Sequence, residues 1–355
     1  MSIDELRRKI DEADARIVRL IAERLRIVEQ IGEEKRQKGK QIEDLRREQK
    51  VLEHVKRIAE EESISKESIE SLYRQIMTIA KSVEGTVVAF QGELGAYSEE
   101  AARQFCGTSV EVKPCETLDD VFKIVEQGKA QFGAVPIENS LEGSISRTYD
   151  LLLESDLKVR GETEVRVMHC LIASPESRLD LIKRVYSHPQ ALGQCRAFLK
   201  HLGCELVPTY DTAGSVKMIK ERGIIDGAAI ASARAAEIYG MKILAREIED
   251  NPNNFTRFFL LSKEDSPPTS NDKTSIVFSV RHKPGALYEF LRELASKSIN
   301  LTKIESRPTR QKPWEYNFYL DFEGHREDRA AREALDKLEN TAIFVKVLGS
   351  YPKAK

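Results

Sequence analysis

Thr256 and Arg257 stand directly before the apolar run Phe258-Phe259-Leu260-Leu261, in the segment NPNNFTRFFLL (residues 251–261). A hydroxyl and a guanidinium at the mouth of a buried strand either cap a turn or serve a site. The pattern recurs along the middle of the chain. Glu138, Asn139 and Ser140 follow the apolar run AVPI. Ser187, Gln190 and Gln194 follow another in VYSHPQALGQC, with the glutamines one helical turn apart. Thr212, Ala213 and Ser215 open a helical stretch in DTAGSV. Gly92, Gly95 and Ser98 link a strand to a helix, where backbone N–H groups suit a carboxylate or phosphate. Each motif alone reads as a cap. Their repetition at strand exits suits binding in a crevice at the carboxyl ends of strands. His169 and Cys170 are adjacent, so on a strand they point to opposite faces and cannot form a nucleophile pair.

A second kind of chemistry lies in the first 84 residues, which hold no proline and read as helices throughout. Ile3, Arg7, Ile10, Asp14, Ile17, Ile21, Arg24, Val28, Ile31 and Lys35 follow the 4-3 spacing of a heptad seam. Cations on a packing seam are costly unless they meet opposite charge. They are explained if they surround an anion inside a helical bundle. Arg24 and Lys35 are about three turns apart, roughly 16 Å along the axis. Arg7, further off, fits a site completed by another subunit. A second helix puts Asp44, Arg47 and Glu48 on one face, and a third, capped by Ser65, aligns Ile69, Tyr73, Ile76, Ala80 and Glu84. A dimeric coiled coil with register-setting charges accounts for the same pattern.

The elements that must hold these groups have three textures. Residues 1–85 are helical. Residues 86–264 alternate short β-rich runs with helices, an α/β domain with a mostly parallel sheet. Residues 265–273 read as a linker, and 274–355 give β-α-β-β-α-β, the ferredoxin-like order. The net charge of -2 argues against nucleic acid or a membrane surface as partner. Five cysteines without a CxxC pair suggest neither zinc nor disulfides and suit a reducing compartment. The charged N-terminus and the lack of a long apolar stretch read as cytoplasmic.

Three stretches resemble known families. LRRKIDEADARIVRLIAERLRIVEQIGEEK…IEDLRREQ resembles the all-helical chorismate mutases. That resemblance implies Arg24, Lys35 and Arg47 on the substrate's carboxylates and ether oxygen, Arg7 contributed across a dimer, and Asp44 and Glu48 in the polar shell. Ala80 stands where some members have serine and Glu84 where many have glutamine. An ionised glutamate cannot donate to the ether oxygen, so Glu84 is expected to act protonated. PIENSLEG, YSHPQALGQC, AAIAS and YGMKILAREIEDNPNNFTRF resemble prephenate dehydratase, a two-lobed fold similar to periplasmic binding proteins. The resemblance implies that Thr256 assists loss of the substrate hydroxide, aided by Glu138 or a water. Asn139, Ser140, Ser187, Gln190, Gln194, Thr212 and Arg257 are the candidates that orient substrate, with an ion-pair role open for Arg257. GALYEFL and ESRP resemble phenylalanine-sensing ACT domains, which implies an effector site at Gly285, Ala286 and Leu287 with Glu305, Ser306, Arg307 and Pro308. The implied whole is a homo-oligomer, at least a dimer, that turns chorismate into prephenate and then phenylpyruvate, without cofactor or metal, under phenylalanine control. Arogenate as substrate, or a non-catalytic amino-acid-binding regulator, are the alternatives.

Overall fold

The computed structural model describes residues 2–37, 45–83, 86–108, 110–269, 271–309 and 314–354. The chain forms two compact units, Met1–Val87 with Cys106–Glu111, and Val88–Phe105 with Val112–Lys355. The middle and C-terminal segments share one unit.

In the first unit, α1 (Ile3–Gln37), α2 (Leu45–Glu61) and α3 (Lys66–Val83) follow the helical texture of the sequence. Ser65 caps α3, its Oγ accepting from Ser68 N at 3.2 Å. Leu52, Val55, Ala59, Ile76, Met77 and Ala80 are buried. The first half of α1 has no such cover: Ile3 is 69% exposed, Ile10 60% and Ile17 52%.

The second unit opens with a lobe of β1 (Val87–Gln91), α4 (Tyr97–Cys106), β2 (Glu111–Cys115), α5 (Leu118–Glu126), β3 (Phe132–Asn139), β4 (Gly143–Ser144), α6 (Ser146–Glu154) and β5 (Lys158–Arg166). The chain crosses to a second lobe of β6 (Cys170–Ala173), β7 (Arg184–Ser187), α7 (Pro189–Gln194), α8 (Arg196–Leu202), β8 (Glu205–Pro208), α9 (Thr212–Arg222), β9 (Gly227–Ala231), α10 (Ala233–Tyr239) and β10 (Lys242–Ala245). It returns as β11 (Phe255–Ser262), which enters the middle of the first sheet, order β2-β1-β3-β11-β5. The second sheet runs β10-β6-β9-β7-β8.

These sheets are mixed, which corrects the expected mostly parallel arrangement. β1 pairs parallel with β3, and β7 with β8 and β9. β11 is antiparallel to both β3 and β5, and β6 to both β9 and β10. The two interlobe crossings send strands back against their neighbours, which local strand–helix alternation does not reveal. The lobes meet closely at Gly95, whose φ is +92° and where an added Cβ would lie 2.6 Å from Ala235 Cα.

The C-terminal part is β12 (Asp272–Ser279), α11 (Ala286–Ser296), β13 (Leu301–Pro308), β14 (Tyr316–Glu323), α12 (Arg329–Thr341) and β15 (Phe344–Pro352), with sheet order β13-β14-β12-β15. One face packs on α11 and α12 through Ile276, Phe278, Phe290, Leu294, Leu320 and Phe322. The other face docks on the first lobe. Gly349 lies so close to β5 that any Cβ there would overlap Val159 O.

Candidate active site and its docked sensor

Strand β11 fixes the geometry. It is antiparallel to β3 with Thr256 opposite Asn139 and Arg257 opposite Glu138, and the register shifts at the next step, where Phe258 faces Pro136. Such an irregularity re-aims side chains beside a site. Because strand side chains alternate, Thr256 and Asn139 share one face and Arg257 and Glu138 the other.

On the first face, Asn139 is 5% exposed and Thr256 9%. Leu141 N and Glu142 N each donate to Asn139 Oδ1 at 3.0 Å. Two backbone donors identify that atom as the oxygen and leave the nitrogen to donate. Asn139 Nδ2 donates to Asn254 Oδ1 at 2.8 Å and to Thr256 Oγ1 at 3.0 Å, the latter bond shared with Phe255 O at 3.2 Å. Thr256 Oγ1 thus accepts a bond while its own hydrogen, among the described residues, meets no acceptor. Asn254, fully buried, passes the direction on, its Nδ2 donating to Gln194 Oε1 at 2.9 Å. Sequence alone assigns Asn254 no role; its place beside TRF is the available signal.

The other polar candidates divide. Ser187 is buried and donates to Ile230 O at 2.7 Å, so toward a ligand it can only accept. Ser140 binds Asn253 O and Phe255 N, bracing the turn into β11. Thr212 opens α9, whose N-cap Asp211 accepts from Gly214 N at 2.6 Å. Gln190 is exposed at the start of α7. A nearby cavity of about 650 Å³ is lined by Glu93, Glu116 and Asp211 among others. Those acids make it a poor host for a dicarboxylate. Cys170 is buried and its thiol is pushed up by that burial, in keeping with a packing role.

Glu138 and Arg257 turn to the other face, and for Arg257 the ion-pair role left open by the sequence is the one observed. Neither lies beside the Thr256 hydroxyl. Arg257 contacts Glu162 at 2.6 Å and Asp321 at 2.7 Å, and Lys273 joins Glu162 at 2.7 Å. Ser275 Oγ donates to Asp321 at 2.5 Å. Burial opposes the Arg257 charge, but Asp321, Tyr351 and Glu162 outweigh it and raise the guanidinium's affinity for its proton. Glu138 pairs with Lys303 at 2.6 Å. Both candidates thus face the β12–β15 sheet.

That sheet also takes two residues from the expected effector set. Glu305 bonds Ser144, and Arg307 lies 3.9 Å from Asp150, so both turn toward the first lobe. Ser306 and Pro308 are exposed on the opposite face of β13. Ala286 and Leu287 line a cavity of about 450 Å³ at the start of α11, with Arg281, Lys283, Glu315 and Phe318 around it.

In the helical unit, Arg24 carries a buried Nη1 that meets no hydrogen-bond partner among the described residues. An uncompensated guanidinium nitrogen is costly and fits a waiting anion. Ala80 is buried on α3. Arg7 is exposed, 3.7 Å from Asp4. Arg47 and Glu48 sit in the first turn of α2, both with partners. Asp44, Glu84 and the side chain of Lys35 lie outside the described residues. Among the described residues, no helix is long and apolar enough to cross a membrane.

Comparison with known proteins fits this division. Family models match at 6–85 (chorismate mutase type II), 88–266 (prephenate dehydratase) and 274–340 (ACT domain). The bifunctional chorismate mutase/prephenate dehydratase of Aquifex aeolicus is 40% identical over 358 residues, covering 99% of this chain and 98% of that one. Arogenate dehydratase/prephenate dehydratase 2 of Arabidopsis thaliana is 46% identical over 276 residues, 75% of this chain and 72% of that one. The prephenate dehydratase of Arthrobacter aurescens, solved in complex with L-Phe, matches with a TM-score of 0.69 and 34% identity over 75% of this chain and 90% of that one. The helical unit, the two-lobed unit and the docked sheet account for all three matches, and the chain belongs to the bifunctional chorismate mutase/prephenate dehydratase family.

Proposed function

We propose that Thr256 is the catalytic donor of the dehydratase reaction, and that the observation carrying this is the one-way bond from Asn139 Nδ2 to Thr256 Oγ1. In the family reaction the ring carboxylate of prephenate leaves as carbon dioxide. Its bonding electrons pass through the ring and expel the C4 hydroxyl, which leaves an aromatic product. Negative charge gathers on the departing oxygen, so the site needs a fixed donor there. A threonine whose oxygen is already accepting has its hydrogen to give. Gln194 is the proposed holder of a substrate carboxylate. Asn139 is a positioning group for Thr256. Glu138 and Arg257 have no part in this step.

In the helical unit, Arg24, Lys35 and Arg47 are the proposed cations for chorismate, with Asp44, Glu48, Ala80 and Glu84 around it. The rearrangement needs a folded substrate and positive charge at the breaking C–O bond. The orphaned Arg24 Nη1 supports this. A second copy of the chain is the proposed cover for the apolar half of α1, with Arg7 reaching the partner's site. A cytoplasmic setting, supported by five free cysteines, belongs to the same proposal.

Phenylalanine is the proposed effector. The Arthrobacter relative was solved with L-Phe. Here the cavity at Ala286 and Leu287 offers cations for a carboxylate, Glu315 for an ammonium group, and Phe318 and Ile343 for an apolar side chain. Coupling to the dehydratase would run through the Arg257 and Lys303 ion pairs. Arogenate is the second reading, favoured by the Arabidopsis match.

One assay tests these points. Chorismate loss and phenylpyruvate appearance are followed with and without phenylalanine, on wild type and Thr256→Val, with prephenate and arogenate compared side by side. The expectation is a mutase that persists and a dehydration that collapses in the variant. Equal dehydration by wild type and variant would remove Thr256 from the chemistry.

A further inference from the structure

His169 has no nucleophile partner in Cys170, its neighbour in sequence. The structure places it on the crossing from β5 to β6, 2% exposed, with Nε2 3.0 Å from Gln194 Oε1. Which nitrogen of its ring carries hydrogen follows from bonds several residues away. Leu141 N and Glu142 N fix Asn139 Oδ1 as an acceptor. Asn139 Nδ2 therefore donates to Asn254 Oδ1, and Asn254 Nδ2 donates to Gln194 Oε1. The atom facing His169 Nε2 is thus a carbonyl oxygen, and only Nε2–H can bond to it. Gln194 Oε1 then has both lone pairs filled. Among the described residues, no acceptor meets its amide nitrogen.

We propose that His169 is a positioning residue for the dehydratase reaction: with Asn254 it clamps the Gln194 carbonyl, so that both Gln194 amide hydrogens are presented to a carboxylate or hydroxyl oxygen of the substrate. This rests on the dehydratase reading above and extends it to a group one bond further from the substrate. The clamp joins the lobes, since Gln194 ends α7 in the second lobe while Asn139 and Thr256 belong to the first.

The surroundings fit a fixed, neutral ring. From α4, Tyr97 meets it edge-on with centroids 5.9 Å apart, and its hydroxyl, 3.3 Å from Nδ1, donates to Met168 O at 2.7 Å. From the 246–254 segment, Glu249 accepts from His169 N at 2.9 Å, with Arg166 3.8 Å from that carboxylate. Cys170 follows it as the first residue of β6 and Cys195 closes α7; burial pushes both thiols up. Burial pushes the imidazole's proton affinity down, and the bond to Gln194 and the Glu249 charge only partly oppose it.

The test compares three variants in the full chain. Glutamine can set an amide N–H where Nε2–H stands; asparagine reaches only the Nδ1 position; leucine offers neither. With prephenate, His169→Leu should lower kcat/KM by about 10–100-fold, the worth of a bond to a charged group, carried mainly by KM. His169→Gln should recover most of the loss and His169→Asn should not. Mutase turnover, measured in the same tubes, should not change. Nitrogen-15 NMR of wild type at neutral pH should show the Nε2–H tautomer, a readout that needs no variant to fold. An Nδ1–H ring, an unchanged prephenate KM in the leucine variant, or equal rescue by asparagine and glutamine would each overturn the proposal. A wild type that makes no phenylpyruvate from prephenate would instead overturn the dehydratase reading.

Discussion

The two faces of β11 are built by opposite rules. On the Thr256 face every group is neutral, each hydrogen bond runs in one direction, and the relay ends with donors left over at Thr256 and Gln194. On the Arg257 face the groups are fully charged and saturated: one guanidinium meets two carboxylates, a lysine meets one of them, and a serine the other. The first face has unspent bonds, which a ligand needs. On the second, the Arg257 guanidinium and both its carboxylates are already paired, which suits a permanent dock between the first lobe and the sensor sheet. Adjacent residues of one strand thus serve catalysis and assembly, because alternation puts them on different surfaces.

The largest effects should come from breaking the direction of the relay. Thr256→Val should lower prephenate dehydration by about 10²–10⁴-fold, the usual worth of a positioned acid. Asn139→Asp is the sharper version. It keeps an acceptor for Leu141 N and Glu142 N but takes the Thr256 hydrogen for itself. Dehydration should fall almost as far, and because the new carboxylate also faces Asn254 Oδ1 and Phe255 O some loss of melting temperature accompanies it. Retained dehydration in the aspartate variant would mean that the bond's direction is irrelevant.

Next is the charged face. Arg257→Met leaves Glu162 and Asp321 buried without their shared cation. It should destabilise the two-lobed unit by about 3–5 kcal/mol in urea unfolding, as expected for breaking a buried pair from one side. Phenylalanine inhibition should weaken, while dehydration without effector persists wherever the protein stays folded. A variant that loses chemistry but keeps normal inhibition would reverse the assignment of the two faces.

A smaller effect concerns His169, whose proton affinity is depressed by burial. For a group with a lowered folded pKa, stability is fully present above the unfolded value, near 6.5, and is lost as pH falls through the folded one. The contribution cannot exceed about 1.4 kcal/mol per pH unit. His169→Gln should flatten that acid limb of the stability curve; an unchanged limb would show the ring already protonated in the fold.

The smallest effect lies in the other unit. If Glu84 donates to the ether oxygen, mutase turnover falls as pH rises, and Glu84→Gln levels the profile. A variant with the wild-type profile removes that role.

The helical segment, the strand–helix alternation and the sensor order were legible because each rests on local periodicity and turn chemistry; the two lobes came from the resemblance. Resemblance supplied Thr256, Asn139 and Gln194, and the structure joins them through Asn254. Glu138 stands beside Asn139 in sequence yet lies on the other face of β3. The alternation used to separate His169 from Cys170 separates this pair as well. Glu305 and Arg307 show the same difficulty, since a motif names residues without saying which neighbour each face meets.

By itself the sequence determined which segments become helices and strands, and where hydroxyls and amides gather at strand ends, since both depend on residues close in the chain. Only the tertiary structure decided which hydrogen each amide spends and on what. Asn139 draws its orientation from two nearby backbone N–H groups, but the oxygens it serves lie 115 and 117 residues away. Hydrogen-bond direction is a property of the closed network, and the network exists only once β11 has returned to the first sheet.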